Sequence, residues 1–188
     1  MKAKYLSVLL GLAVALARIT ATTVIPPTFT QLVEQAEVIF QGTVTKVHSI
    51  WSGEGALRHI DTYVTFQVED SIKGNASSAY TIRMLGGTVG NDTMQVTDTP
   101  KFKIGDRDIL FVEHNGQQFV PLVGIMHGRF RVESDQVSGR EFVTTGEGRP
   151  LLDLSRLGKE EEMLRAEEAI SPAQFKSEIR AELSRNSR

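Results

Sequence analysis

The chain has 188 residues, 40% hydrophobic and 23% charged, with a formal net charge of −2. That is enough for one domain with appendages and an ordinary hydrophobic core. Cysteine is absent, which excludes disulfides, thiolate metal sites, cysteine nucleophiles and a lipid-modified N-terminal cysteine.

Residues 1–21 have the pattern of a secretory signal. Lys2 and Lys4 give a positive start, an uncharged and largely apolar run extends from Tyr5 to Val14, and small residues follow at Ala15, Ala17 and Ala21. The apolar run stops at Arg18, short of the ~20 residues that a helical span needs. Removing this segment leaves 18 basic against 23 acidic residues, a net of −5. A modestly acidic exported domain has no electrostatic case for nucleic acid, and no stable membrane span is expected after cleavage. An exported domain without cysteine fits a bacterial periplasmic or extracellular protein better than an animal one.

Residues 22–145 are expected to form a β-domain. Thr28-Phe29-Thr30-Gln31 has capping-box spacing, and Phe29, Leu32, Val33 and Ala36 recur on one face of a short helix. A long β-branched run from Val38 to Trp51 follows, with Gly42 inside it. Its expected core face holds Val38, Phe40, Gly42 and Val44; Gln41, Thr43 and Thr45 face the other way. An internal glycine lets a strand bend and pair on both sides, as the first strand of a small barrel must.

The second run alternates, with Val64, Phe66 and Val68 inward and Thr65 and Gln67 outward. Tyr80, Ile82 and Met84 mark a third strand. Gly86-Gly87 interrupts that pattern, and Gly90-Asn91-Asp92 suits the tip of a hairpin returning through Met94 and Val96. The run Asp108 to Val112 is apolar enough to be covered on both faces. Asn115-Gly116 suits a type I′ hairpin, with Phe119 to Val123 as the return strand. Further strands are expected from Gly128 and around Phe142 and Val143. Seven or so short strands at regular spacing predict an antiparallel barrel or sandwich.

Residues 146–188 change in composition. Leu151, Leu152, Leu154 and Leu157 are placed to cover one end of the barrel, and residues 159–168 are highly charged. Ser171-Pro172 then opens a helix whose apolar stripe is Phe175, Ile179 and Leu183. That stripe can cover this chain's own barrel or dock on another protein.

Two stretches carry a family resemblance. Ala36-Glu37-Val38-Ile39-Phe40-Gln41-Gly42-Thr43-Val44 and Phe102-Lys103-Ile104-Gly105-Asp106-Arg107-Asp108-Ile109-Leu110-Phe111 resemble the first and a later strand of netrin-like and tissue-inhibitor-of-metalloproteinase-like modules. Uncharacterised exported bacterial proteins of that kind are similar too. The resemblance spans roughly residues 30 to 132 and implies an OB-like, Greek-key barrel; the residue pattern adds to it a short N-terminal helix and a C-terminal helical tail. The animal inhibitors act through an N-terminal cysteine that this chain lacks, so the resemblance implies the barrel and no activity.

Candidate sites are few. His48 and His59 lie equidistant from the Gly53-Glu54 turn, where facing imidazoles could ligate zinc or copper with Glu54 or Asp61. Asp106 and Asp108 flank Arg107 just after a turn, a position that favours local hydrogen bonding over catalysis. Residues 86–90 lack the Gly-Lys-Ser/Thr ending of a phosphate loop, and no G-x-S-x-G or H-E-x-x-H motif occurs. Trp51, the single tryptophan, stands near a glycine turn where an aromatic side chain can anchor a partner. The expectation is an exported, non-enzymatic binding module without a cofactor. Trp51, Gly86, Gly87 and Thr88 would meet a protein or glycan. A metal-binding protein using His48 and His59 is the alternative.

Overall fold

A computed structural model describes residues 26–157 and 168–186; the expected signal segment and much of the charged run lie outside them. The protein is mainly β. Its centre is an antiparallel hairpin of two 15-residue strands, β1 (Val38–Ser52) and β2 (His59–Lys73). The other elements are β3 (Ala79–Leu85), β4 (Gly87–Val89), β5 (Asp92–Met94), β6 (Arg107–Val112), β7 (Arg129–Ser134) and β8 (Glu141–Thr145). Helix α1 (Phe29–Gln35) precedes β1, and helix α2 (Pro172–Asn186) closes the described chain. Neither helix is long and apolar enough to cross a membrane.

Six strands form one sheet in the order β3-β2-β1-β6-β7-β8, while β4 and β5 make a separate hairpin. No pairing joins edge strands β3 and β8 among the described residues. Each edge is instead covered by irregular chain. Asn115 donates through Nδ2 to Thr81 O (2.8 Å) and accepts at Oδ1 from the Arg83 N–H (3.1 Å). Beyond it the Leu85 N–H donates to Phe119 O at 2.7 Å. On the far edge, Leu151 N–H donates to Val143 O and Val143 N–H to Ile170 O, both at 2.9 Å. Edges covered in this way offer no template for uncontrolled pairing.

The type I′ hairpin expected at Asn115-Gly116 is not found. Positive φ falls on His114 (46°) and Gly116 (86°), and the Gln117 and Gln118 N–H groups both donate to His114 O. The return is an irregular segment with one isolated β-bridge, Val112 to Leu122, besides the bond from the Leu85 N–H to Phe119 O. The asparagine side chain clamps β3, which supplies a reason other than turn geometry for an Asn at this place.

Gly42 is the pivot of β1. It pairs with Val68 of β2 on one side and Asp108 of β6 on the other. A Cβ there would lie 2.7 Å from Gln67 O and 3.2 Å from the Phe40 ring. Register shifts on both sides of it bend the strand. Gly42→Ala is expected to cost about 1–3 kcal/mol, because backbone rather than a flexible side chain must move. A fall in the urea midpoint with unchanged slope would show it.

Alternation along the strands builds two apolar layers. Phe40, Val44, Val64, Phe66, Ile82 and Leu110 pack in one, with ring centroids of Phe40–Phe66 and Phe66–Phe102 both 5.5 Å apart. Ile39, Ile109, Phe111 and Phe130 form the other, covered by α1 and α2. β6 therefore has Leu110 and Val112 on one face and Ile109 and Phe111 on the other, as its apolar composition requires.

Capping explains where the helices begin. Thr28 Oγ1 accepts from the Gln31 N–H (3.3 Å) and Gln31 Oε1 from the Thr28 N–H (2.8 Å). Ser171 Oγ accepts from the Gln174 N–H at 3.2 Å. In α2, Phe175 and Ile179 are fully buried against the sheet, and Leu183 packs at the margin. Asp70 of β2 holds the helix through Lys176 (2.9 Å) and Arg180 (2.7 Å). Burial works against the Asp70 charge, but hydrogen bonds from those two cations outweigh it and keep its carboxyl below the usual range.

Candidate functional site

An open cleft lies over the distal ends of β1, β2 and β3. It has a volume of about 640 Å³, within the roughly 300–1,000 Å³ of small-ligand sites. Its floor continues the inner apolar layer through Val47, Val64 and Met84, with Phe102 beside them. Its wall is the excursion formed by residues 86–102, which includes the β4–β5 hairpin.

Two consecutive glycines set that wall in place. Gly86 has φ +95° and Gly87 φ +141°, where side chains other than hydrogen are strained. The Gly86 N–H donates to Ile60 O (2.7 Å), and Thr62 Oγ1 donates to Gly86 O (2.5 Å). Ser49 and Thr62 hydroxyls meet at 2.8 Å beneath them. A Cβ on Gly87 would lie 2.2 Å from Thr62 Oγ1 and 2.6 Å from Ser49 Oγ. The hairpin can approach the sheet this closely only because no side chain intervenes.

Chemically the cleft is an apolar floor ringed by hydroxyls. Thr88, Thr93, Thr97 and Thr99 line it with Ser49 and Thr62, and its ionisable lining residues are Asp98 and Lys101. Such a surface offers apolar contact and neutral hydrogen bonds.

Of the expected binding residues, Gly86, Gly87 and Thr88 come together on this wall. Trp51 does not line the cleft. It lies two residues beyond Ser49 on β1, paired with Ile60, 37% exposed, with the Arg58 guanidinium 4.1 Å from its ring centroid. Thr62, Met84 and Phe102 were not among the expected residues. Thr62 had a signal: it shares the parity of the inward Val64 and Phe66.

The expected facing of His48 and His59 is not found. His48 pairs with Tyr63, and His59 with Ser52. Four strand residues separate their positions, about 13 Å along the strand. The turn includes a short 3₁₀ segment at Gly55–Leu57, so the hairpin centre lies further along than Gly53-Glu54. His59 instead donates through Nδ1 to Leu57 O (2.7 Å) and approaches Asp61 at Nε2 (3.4 Å). Asp61, buried, also pairs with Arg83 at 3.3 Å. Among the described residues no group of three His, Cys, Asp or Glu is placed to hold a metal ion.

Asp106 and Asp108 share a partner that lies 21 or more residues further along the chain. Arg129 donates through Nε to Asp108 Oδ1 (2.9 Å) and through Nη2 to Asp106 Oδ2 (2.9 Å), while its Nη1 reaches Lys101 O (2.7 Å). Its guanidinium stacks 4.1 Å from the Phe102 ring centroid. Asp108 is fully buried, and burial, opposed by Arg129, pushes its carboxyl up to about 6. This cluster fixes the segment that carries Lys101 and Phe102 into the cleft. Compared with protein-family models, curated proteins and solved structures, the chain gives no match.

Proposed function

We propose that this is an exported, non-enzymatic binding module on an OB-like barrel frame, and that its ligand occupies the cleft beneath the 86–102 excursion. The observation that carries the reading is the cleft itself: an apolar floor, a ring of threonine hydroxyls, and a wall seated by Gly86 and Gly87. Mouths of β-barrels are common ligand sites, and a loop laid over a rigid frame needs no catalytic group to bind. The frame reading draws on β1 pairing on both sides around Gly42 and on the bridge from β3 to residues 115–119. Within the cleft, a neutral ring of hydroxyls favours a glycan or uncharged peptide side chains over charged groups.

The test is a ligand-detected NMR screen of residues 22–188 against neutral oligosaccharides and short peptides, with Gln95→Trp as control. Gln95 is exposed and lines the cleft, so an indole there fills the cleft without removing a core contact. Hits are expected to lose at least about tenfold in affinity in the variant, the scale of blocking a central pocket. Hits that bind both proteins equally would place the site elsewhere.

A further inference from the structure

The distal half of β1 has a partner strand on one side only. Pairing with β6 ends at Thr43 opposite Arg107, and the last bonds on that side are Val44 N–H to Asp106 O and Gly105 N–H to Val44 O. Pairing with β2 continues to Ser52. Residues 45–52 therefore carry an open edge of backbone donors and acceptors. Lys46, His48, Ile50 and Trp51 are exposed along it, although the two sheet-edge strands β3 and β8 are both covered.

An open edge of this kind takes up an extended chain, with the backbone giving affinity and alternate side chains giving selection. We infer that residues 45–52 receive an extended peptide segment of a partner protein that alternates acidic and apolar residues. The inference rests on the cleft being a binding site, since Val47 and Ser49 face it. A strand added beside β1 would turn every second side chain toward that apolar and hydroxyl surface. Its other side chains would lie beside Lys46 and His48, on a stretch of β1 that has no acidic residue. Opposite charges across neighbouring strands attract and like charges repel, so the sequence of β1 selects acids on that side. The nearby acids Asp61 and Asp106 are engaged by Arg83 and Arg129.

The probe is a dye-labelled short peptide of alternating glutamate and valine, with an alternating lysine and valine peptide as control. Hydrogen exchange of residues 22–188 is measured with and without each, alongside anisotropy titrations. The glutamate peptide is expected to slow exchange within residues 45–52 and to bind more tightly than the lysine peptide. Lys46→Glu, at an exposed site, is expected to weaken the glutamate peptide about fivefold and to favour the lysine peptide. Equal binding of both peptides, or indifference to Lys46→Glu, would overturn the inference. Protection confined to residues 93–102 would overturn it while leaving the cleft reading in place. No protection anywhere would also overturn it, and the oligosaccharide and peptide screen then judges the cleft separately.

Discussion

Replacing Phe175 by alanine is expected to cost about 3–5 kcal/mol, the range for emptying a buried aromatic site. The ring is fully buried and meets three others, with centroids 4.8 Å from Phe130, 6.0 Å from Phe29 and 6.1 Å from Phe111. It thus joins α1, α2, β6 and β7 in one layer. Chemical denaturation should show the loss as a fall in midpoint. An exposed docking helix would behave differently: its apolar stripe would tolerate alanine within about 0.5 kcal/mol. The burial of Phe175 and Ile179 assigns these two residues of the C-terminal stripe to this chain's own core, with Leu183 at its margin.

Arg129→Met is expected to be comparably damaging, at about 3–5 kcal/mol near neutral pH, because it strands Asp108 and Asp106 without their shared cation. The loss should shrink in acid. Asp108 has its folded pKa raised from 3.8 to about 6, so the folded state holds that proton more tightly than the unfolded chain does. The stability linked to it is fully present below about 3.8 and is lost as pH rises through about 6. Without Arg129 burial is opposed only by the more distant charge of Arg131, and the raised pKa moves higher still. Urea midpoints of variant and parent should therefore converge as pH falls from 8 toward 5. A constant gap would mean that Asp108 carries no part of the cost.

Much of the fold was legible from side-chain parity. The alternation of Val64 and Phe66, the two-faced run at β6, and the apolar spacing of Phe175 and Ile179 each placed residues where the structure has them. Gly42 was legible as a bend because a glycine inside a β-branched run has few other uses. Long-range partners were not. Asp106 does bond locally, accepting from the Lys103 N–H at 2.9 Å, but the partner it shares with Asp108, Arg129, comes from another strand, and only the β6–β7 register brings it near. The histidine pair failed for a related reason. Moving the hairpin centre by two residues changes the partner of His48 from His59 to Tyr63, and the glycine cluster at residues 53–55 does not specify which turn forms. Asn115-Gly116 misled in another way: the asparagine's amide bonds to β3, a contact invisible to turn statistics. In the cleft, the two glycines and Thr88 stood out by composition. Thr62 and Met84 did not, since an inward threonine reads as ordinary strand.

The most direct test of the cleft reading is site-specific photo-crosslinking in the cells that make this protein, with cell-associated and released fractions analysed separately. A benzophenone side chain is placed at Gln95 in the cleft or at Val137, which is 96% exposed on the β7–β8 turn. A ligand seated in the cleft gives a discrete adduct from position 95 that excess unlabelled protein abolishes, and none from position 137. No adduct from either position, or the same adduct from both, would contradict the cleft reading.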